Sequence, residues 1–360
     1  MPVTASAAVV LAAGLDAAAG EPPARVHPVA LLGRVVARID RSGDGDRDVG
    51  SHGDDGDPTG EWSHPRFVGV LTALFVPLLF AAVAAAVVAA GPAVAVESTV
   101  SLGPVAASWL GVALAAVVLF STTSHRLLLD SARAVIAESD ADLDRARLDL
   151  RALAGRNADP LDAAHVRSAA VESLAENLAD GLVAPLLAFA VVAGAGGVLV
   201  PGASPLPADA ASLPLAAGSG AAAWVKAVNT LDSMLGYRSN PIGWGPARLD
   251  DAVMWLPARL SALLLAVVAG SPTVPFRPSV RALARRPSSP NSGWPMATMA
   301  ALFPARLHKP GVYDLDPSVS PSSEGCPTPL PDTATATHAV RITRRAGALA
   351  FVVAGVIAWF

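Results

Sequence analysis

The sequence has 360 residues, of which 52% are hydrophobic and only 16% are charged, and its formal net charge at pH 7 is −4. A soluble globular domain carries about 25% charged residues, so the composition argues against an ordinary water-soluble domain. The acidic balance argues against a nucleic-acid partner, which usually requires a basic face. The one cysteine, Cys326, excludes an intrachain disulfide.

The hydrophobic residues are concentrated in seven runs that are rich in alanine and valine. Several runs reach the roughly 20 residues that a helix needs to cross a bilayer, where a helix satisfies its own backbone hydrogen bonds. We therefore predict an all-α fold, a polytopic membrane helix bundle with cytoplasmic helical and loop segments. The predicted membrane segments are 2–20, 67–96, 102–120, 182–200, 210–225, 253–270 and 346–360.

The polar stretches between these runs predict the remaining organisation. An Asp- and Gly-rich tract at 43–57 is typical of a disordered acidic insertion. Apolar residues at roughly heptad spacing predict one solvated helix over 131–154. After a membrane domain at 1–314, the composition of 315–345 indicates a Pro/Ser/Thr-rich linker that leads to the C-terminal membrane helix at 346–360.

The positive charges predict the orientation of the chain. The 26 Lys and Arg residues lie in or beside the polar stretches, so the positive-inside rule places 21–66 and 121–181 in the cytoplasm. If 182–225 crosses once, 226–251 faces outward. If it forms a hairpin, 226–251 returns to the cytoplasm. We favour the hairpin, with 253–270 dipping into the membrane or lying in its interface, because one active site cannot be shared across about 30 Å of hydrocarbon.

Four polar clusters lie at the ends of the apolar runs. The first contains Asp16 and His27. The alternative, equally favoured, is that they are ordinary polar residues at the end of a helix and have no catalytic role. In the second, Glu172, Glu176 and Asp180 recur every four residues, beside Asn177, so the three carboxylates share one face of a helix. Like charges at this spacing repel, and a bound cation such as Mg²⁺ would offset the repulsion. A solvated acidic stripe is the alternative.

The third cluster is the densest, and it lies between two apolar runs. Polar groups at a membrane edge cost free energy unless they are paired or liganded. Basic groups there can hold phosphates, and carboxylates can hold the accompanying metal. The cluster contains Lys226, Asn229, Thr230, Asp232, Ser233, Tyr237, Arg248, Asp250, Asp251 and Arg259. The fourth cluster, around Asn291, is by itself an ordinary turn.

In this order, the four clusters resemble the adenosylcobinamide-phosphate synthase family, the CbiB/CobD-type membrane proteins of cobalamin biosynthesis. The resemblance covers about residues 11 to 314, apart from 43–57 and 198–218, which look like insertions. The matching stretches are LDAAAGEPPARVHPVALLGR, VESLAENLADGLVAP, KAVNTLDSMLGYR, ARLDDAVMWLPARL and SPNSGWPMATMAALFPARL. The sequence departs from the family pattern at Glu21, Asn157, Ala158 and His308-Lys309-Pro310.

The resemblance implies a multi-pass ligase of the cell membrane, with its motif-bearing loops in the cytoplasm. The reaction would join the propionate carboxylate of adenosylcobyric acid to (R)-1-aminopropan-2-ol phosphate. ATP and Mg²⁺ would be the cofactors. The corrinoid, the aminopropanol phosphate and membrane lipid would be the partners, with other cobalamin-assembly enzymes as further candidates and no nucleic acid.

If the chain has the activity that the resemblance implies, the charge and position of each residue suggest a hypothesis for its role. The expected metal ligands are Glu176, Asp180, Asp232, Asp250 and Asp251. The expected phosphate- and substrate-binding residues are Lys226, Asn229, Thr230, Ser233, Tyr237, Arg248, Arg259 and Asn291. The expected catalytic residues are Asp16, His27, Glu172 and Asn177, with Asp16 or His27 helping to deprotonate the amine.

Two other functions compete with the ligase. A small-molecule transporter would need polar or ionisable groups along a path at bilayer depth. Ser108 is the only polar side chain in 102–120, and Thr72 is the only one in 67–96, which disfavours such a path. The other alternative is a non-catalytic membrane anchor for a cobalamin-assembly complex.

Overall fold

The structure is a computed structural model that describes residues 2–20, 27–44, 64–97, 103–154, 158, 160–199, 212–237, 240–303, 305–318 and 327–360. Over these ranges the chain is almost entirely helical, as predicted, and a short antiparallel β-hairpin pairs Leu307 with Leu315. The helices are α1 (Pro2–Ala19), α2 (Pro28–Asp44), α3 (His64–Glu97), α4 (Pro104–Thr122), α5 (His125–Glu138), α6 (Leu143–Ala154), α7 (Ala163–Leu178), α8 (Ala184–Leu199), α9 (Leu213–Leu235), α10 (Trp244–Val253), α11 (Trp255–Val268), α12 (Pro278–Leu283), α13 (Gly293–Leu302) and α14 (Thr333–Ile357). The strands are β1 (Leu307–Lys309) and β2 (Tyr313–Leu315).

Three stretches of the described chain are long and apolar enough to cross a membrane. They are Pro65–Pro92 in α3, Val105–Glu138 in α4 and α5, and Ala163–Gly196 in α7 and α8. Helix α3 leaves large apolar side chains such as Phe75 and Leu79 exposed. An uninterrupted apolar band of this kind is suited to contact with lipid. The chain is therefore a multi-pass membrane protein, as the composition predicts.

Helices α8 and α9 form an antiparallel hairpin. Near its closed end Gly196 lies against Pro214, and farther along Gly218 lies against Ala193 and Phe189. A β-carbon on Gly218 would be 2.9 Å from that of Ala193, so the two helices approach closely here because the residue is glycine. The two helices therefore pack as the hairpin that the favoured arrangement requires, and their placement across the membrane stays a prediction.

The segment predicted to dip into the membrane is bent. Helices α10 and α11 meet at Met254 with an angle of 48° between them, and together they are apolar enough to count as a broken span or a re-entrant loop. Met254 itself is buried. The bend gives the polar α10 and the apolar α11 different directions. A segment that enters the membrane and returns needs such a bend, but the bend alone does not place it in the membrane, so the predicted dip stays a prediction.

Two predictions about the polar stretches are wrong. The predicted helix over 131–154 is two helices, α5 and α6, separated by a turn at 139–142. In this turn the Asp140 carboxylate accepts hydrogen bonds from Arg167 of α7 (2.6 Å) and Thr333 of α14 (2.6 Å). The polar side chains of the segment thus serve tertiary contacts, which a local periodicity does not reveal.

The predicted linker at 315–345 also needs correction. Strand β2 ends at Leu315, and α14 already begins at Thr333, where the Asp332 side chain accepts a hydrogen bond from the Thr335 backbone and caps the helix. The first half of α14 buries Ala336, Ala339 and Val340 against the bundle. The composition of 333–345 is dominated by Thr and Arg. A count of residue types does not show that its small apolar residues lie on one face of a helix, so composition alone predicts a linker.

The remaining predicted segments lie wholly or partly outside the described residues. Residues 45–57 of the predicted disordered insertion are outside, and α2 extends to Asp44. Residues 200–211 of the stretch 198–218 are also outside. The same holds for Glu21, Asn157 and Cys326.

Candidate functional site

The site begins where α7 passes into α8. Residues Ala179–Val183 form a π-helical turn that carries Asp180, and the Gly181 carbonyl accepts a hydrogen bond from the Ser124 backbone (3.0 Å). Single π turns within α-helices occur often at functional sites, because the wider turn redirects a side chain. Here the turn places a half-buried carboxylate next to α9 at the open end of the hairpin.

Helix α9 brings three polar groups to Asp180. Lys226 and Asp232 are within electrostatic reach of the Asp180 carboxylate, and the Asn229 side chain lies beside it. The same Asn229 side chain also lies beside Asp250 of α10. Asn229 is therefore placed between carboxylates from two other parts of the chain, where an amide can serve both because it has two N–H donors.

Helix α10 completes the cluster with two adjacent carboxylates. Asp250 is buried and lies within electrostatic reach of Asp180 and Asp232, and Asp251 lies near Asp232. Glu176, one turn before Asp180, adds a further negative charge. The five carboxylates and Lys226 thus lie in one region of the fold, and their roles as metal and phosphate ligands stay predictions. We refer to Glu176, Asp180, Lys226, Asn229, Asp232, Asp250 and Asp251 as the carboxylate cluster.

The donor set of this cluster fits a hard cation by its chemistry. Mg²⁺ prefers carboxylate oxygens and the phosphates of a substrate as ligands. The Asp250 Oδ1 atom is buried and has no hydrogen-bond partner among the described residues, so it is an oxygen that a cation could use. No three Asp, Glu, His or Cys side chains in the described chain already surround one point. The metal would therefore need small side-chain movements and ligands from the substrate.

A polar cleft of about 450 Å³ adjoins the carboxylate cluster. It lies between the end of α9, the helix α10, the start of α3 and the loop at 288–289. We call it the α9–α10 cleft. Its volume is within the range of small-molecule sites. The side chains that give it chemical character are Arg66, Asp232, Tyr237, Trp244, Arg248 and Asp251.

The backbone around the cleft depends on glycine. A β-carbon on Gly243 would collide with the backbone carbonyl of Leu235, at the end of α9. Residue 243 can therefore pack against the end of α9 only because it has no side chain. Asp232 of α9 and Asp251 of α10 both line the cleft.

His27 lies beside Lys226, as part of the same region. Burial lowers the pKa of His27, and the positive charge of Lys226 lowers it further, so the imidazole is neutral near pH 7. Its Nδ1 accepts a hydrogen bond from the Val29 backbone (3.1 Å), which leaves the proton on Nε2. This geometry favours a hydrogen-bond donor over the predicted proton acceptor.

Asp16 makes structural contacts, and its predicted catalytic role stays a prediction. Its buried carboxylate accepts the backbone N–H groups of His125 (3.1 Å) and Arg126 (3.2 Å) at the start of α5. The Arg126 guanidinium in turn donates to the carbonyls of Ala17 (2.6 Å) and Ala18 (2.9 Å) at the end of α1. Asp16 thus caps a helix that lies more than 100 residues away in the chain.

Glu172 is likewise engaged inside the protein. Its carboxylate oxygens accept hydrogen bonds from Ser168 (3.0 Å) and Tyr313 (2.8 Å), and Ser168 accepts the backbone N–H of His308 (2.9 Å). This network joins α7 to the β-hairpin. The predicted catalytic role is therefore disfavoured, because a buried carboxylate held in this way does not reach a substrate. Asn177 donates to the Ser173 carbonyl of its own helix (3.1 Å).

Arg259 and Asn291 contact each other and the backbone of Asp251 in the carboxylate cluster. The Arg259 guanidinium is stacked between Trp255 (4.4 Å from the ring centre) and Trp294 (4.7 Å), and donates to the Asn291 side chain (3.0 Å). Asn291 donates to the Asp251 carbonyl (2.8 Å). Cation–π contacts and these hydrogen bonds hold the guanidinium in place. The two residues hold the backbone at Asp251, and their predicted contact with phosphate stays a prediction.

The other predicted binding residues divide between the helix and the cleft. The hydroxyls of Thr230 and Ser233 donate to the carbonyls of Lys226 and Asn229 (both 2.8 Å), as such side chains often do within a helix. Tyr237 and Arg248 line the cleft. Sequence reasoning missed Arg66 and Trp244 there, and it gave no binding role to Ser289 of the fourth cluster. The lone arginine at the start of the long apolar α3 was the one signal that could have indicated Arg66.

Comparisons with known proteins give the family of this chain. A sequence model of the CobD/Cbib protein family matches residues 9–343. The chain is 33% identical to a probable cobalamin biosynthesis protein CobD of Methanothrix thermoacetophila, with 88% of each chain covered. It is 32% identical to the cobalamin biosynthesis protein CobD of Rhodobacter capsulatus, over 98% of this chain and 97% of the relative. No solved structure matches the chain.

The family match includes every element that contributes to the carboxylate cluster and the α9–α10 cleft, and it also spans the segment that was mistaken for a linker. Relatives from an archaeon and a bacterium align over most of their length, so the similarity concerns the whole fold. From the family match and the extent of these alignments, we conclude that the chain belongs to the CobD/Cbib family of cobalamin biosynthesis proteins.

Proposed function

We propose that this protein is an adenosylcobinamide-phosphate synthase, which uses ATP to join adenosylcobyric acid to (R)-1-aminopropan-2-ol phosphate. The observation that carries the proposal is the carboxylate cluster with Lys226, assembled from three parts of the chain beside a polar cleft. Membership of a cobalamin biosynthesis family supports a corrinoid substrate. Partly buried like charges next to one lysine are costly unless a cation and phosphate groups join them.

The chemistry requires an activated acyl group, because a carboxylate does not react with an amine directly. In the proposed reaction a carboxylate oxygen of the corrinoid attacks the γ-phosphorus of ATP, which gives an acyl phosphate and ADP. The amine nitrogen then attacks the acyl carbon, the C–N bond forms, and inorganic phosphate leaves with the C–O electrons. Such phosphoryl transfer depends on charge stabilisation and positioning.

The residues of this chain would serve the two steps in different ways. Asp180, Asp232, Asp250 and Asp251 would hold Mg²⁺, which neutralises phosphate charge when it is bound. Lys226 would donate to the transferring phosphoryl group. His27, neutral and protonated on Nε2, would donate to a substrate oxygen. A neighbouring carboxylate of the cluster would take the proton that the amine loses.

The proposal is tested with the full-length protein reconstituted into vesicles and supplied with ATP, Mg²⁺, the corrinoid acid and the aminopropanol phosphate. Mass spectrometry should detect the amide product together with stoichiometric ADP, and omission of ATP or Mg²⁺ should abolish both. Asp232→Asn should remove the activity. Asp144→Asn, at an exposed residue of α6 that pairs with Arg147, serves as the matched control.

Two outcomes would contradict the proposal in distinct ways. Uptake of a substrate into the vesicles without any amide product would favour a transporter. Product that forms only after a soluble protein fraction is added would favour an anchor for a separate synthetase.

A further inference from the structure

We propose that the α9–α10 cleft is the nucleoside triphosphate subsite of this protein, and that Arg66 of α3 is one of its phosphate-binding residues. The inference rests on the proposed function, since that function requires a nucleotide, and it goes further by assigning the nucleotide to one cleft. It also brings in a residue from α3, which none of the polar sequence clusters contains.

The charges of the cleft match a metal-bound triphosphate. Two guanidinium groups, from Arg66 and Arg248, face a space that also contains the carboxylates of Asp232 and Asp251. Guanidinium groups bind phosphate oxygens in a bidentate manner, and carboxylates bind the divalent cation that accompanies a triphosphate. A ligand with only one kind of charge would leave half of these groups unmatched.

The existing ion pair in the cleft can be exchanged for a ligand. Arg248 lies 3.6 Å from Asp251, and 68% of its side-chain surface is exposed. Exposed pairs of this kind contribute little to stability, so Arg248 can turn to a phosphate without a large cost to the fold. Arg66 takes part in none of the ion pairs formed between described residues, so its charge is also available.

The aromatic side chains of the cleft suit a planar base. Tyr237 is 61% exposed and Trp244 is 41% exposed, and both line the cleft. Exposed aromatic rings beside a polar cleft can stack on a nucleobase, since every base presents a flat π-face. With the base at these rings, the triphosphate would extend toward Asp232 and Asp251, and from there to Asp180 and Asp250.

The size of the cleft separates the nucleotide from the corrinoid. A cleft of about 450 Å³ suits a ligand of nucleotide size. A corrin ring with its side-chain amides and adenosyl group is much larger, so the cleft would not enclose it. The corrinoid carboxylate would instead approach the carboxylate cluster from outside the cleft and meet the terminal phosphate there.

The aminopropanol phosphate has the same phosphate chemistry, so the test must separate the two sources. Binding of MgATP and of aminopropanol phosphate is measured separately by calorimetry on the full-length protein in detergent. Arg66→Gln should weaken MgATP binding roughly tenfold or more, which is the loss expected for one charged phosphate contact. It should leave aminopropanol phosphate binding within about twofold, and Arg66→Lys should recover part of the MgATP affinity. Arg281→Gln, at an exposed residue of α12, is the control for a lost surface charge.

The possible results distinguish this inference from the proposed function. Amide synthesis with unchanged MgATP binding in Arg66→Gln overturns the nucleotide assignment and leaves the ligase intact. Weaker binding of aminopropanol phosphate alone assigns the cleft to the amine donor, which also overturns the inference. Arg66-dependent binding of MgATP without any amide product supports the nucleotide site and contradicts the ligase.

Discussion

Glu172 and Asp180 are two carboxylates on one continuous helical rod, eight residues apart, and their surroundings differ in kind. Glu172 is buried and accepts hydrogen bonds from Ser168 and Tyr313, so its charge is compensated within the protein. Asp180 faces Lys226, Asn229 and further carboxylates, which leaves an excess of negative charge. The comparison teaches that equal spacing in a sequence does not give equal function, because the partners come from distant segments.

The largest expected effect comes from removing the charge at Asp180. Asp180→Asn should lower kcat for amide synthesis by about a hundredfold or more, because one proposed ligand of the metal would be lost. The thermal unfolding midpoint should stay the same or rise, since one of several like charges disappears. Steady-state kinetics and unfolding in detergent measure the two quantities.

A result in the opposite sense would remove the contrast between the two carboxylates. If Asp180→Asn kept full activity but unfolded at a lower temperature, Asp180 would be a structural residue like Glu172. The exposed Asp144→Asn variant shows how much change a lost surface carboxylate causes by itself.

A smaller effect, on stability in place of catalysis, is expected at Glu172. Glu172→Gln should cost about 1–3 kcal/mol of unfolding free energy, because a buried hydroxyl loses its charged acceptor. Activity per folded molecule should remain within about threefold of the wild type. Denaturant unfolding of Glu172→Gln, Tyr313→Phe and the double variant gives the coupling between the partners, expected to be about 1 kcal/mol.

A coupling near zero would mean that the hydrogen bond between Tyr313 and Glu172 contributes nothing. A hundredfold loss of kcat in well-folded Glu172→Gln would restore the catalytic role that the sequence predicted.

The smallest effect is expected at Asp16, whose carboxylate is compensated by backbone groups. Asp16→Ala should destabilise the protein by about 1 kcal/mol, the usual cost of a lost helix cap. Asp16→Asn should be nearly neutral, because an amide oxygen accepts the same backbone hydrogen bonds. Thermal unfolding and kinetics of both variants check this. Inactive but stable Asp16→Asn would place Asp16 among the catalytic carboxylates instead.

The apolar runs at 67–96, 102–120 and 182–200 correspond to stretches that are long and apolar enough to span a bilayer, because length and hydropathy decide this property. The favoured hairpin at 182–225 is present as the packed pair α8 and α9, and the return of 226–251 to the side of 121–181 stays a prediction. The convergence of Asp180, Lys226 and Asp232 follows directly from that hairpin.

The sequence could not reveal contacts between distant segments. The partners of Asp16 lie more than 100 residues away in the sequence. Glu172 likewise accepts a hydrogen bond from Tyr313, in a distant part of the chain. The helix at 333–345 was missed because its buried face consists mainly of aliphatic residues, which a count of Thr and Arg over the whole segment conceals. Arg66 was missed because no local sequence pattern relates the start of α3 to the α9–α10 cleft.

The π-helical turn at Ala179–Val183 has a consequence for how insertions and deletions would act on this protein. A π turn holds more residues than the α-helical turn in its place, so loss of a single residue there would restore a regular helix. Everything after the turn would then rotate about the rod axis, and the small residues of α8 would leave the face that meets α9. A one-residue deletion at this point would therefore displace a whole helix, whereas substitutions nearby would change one side chain.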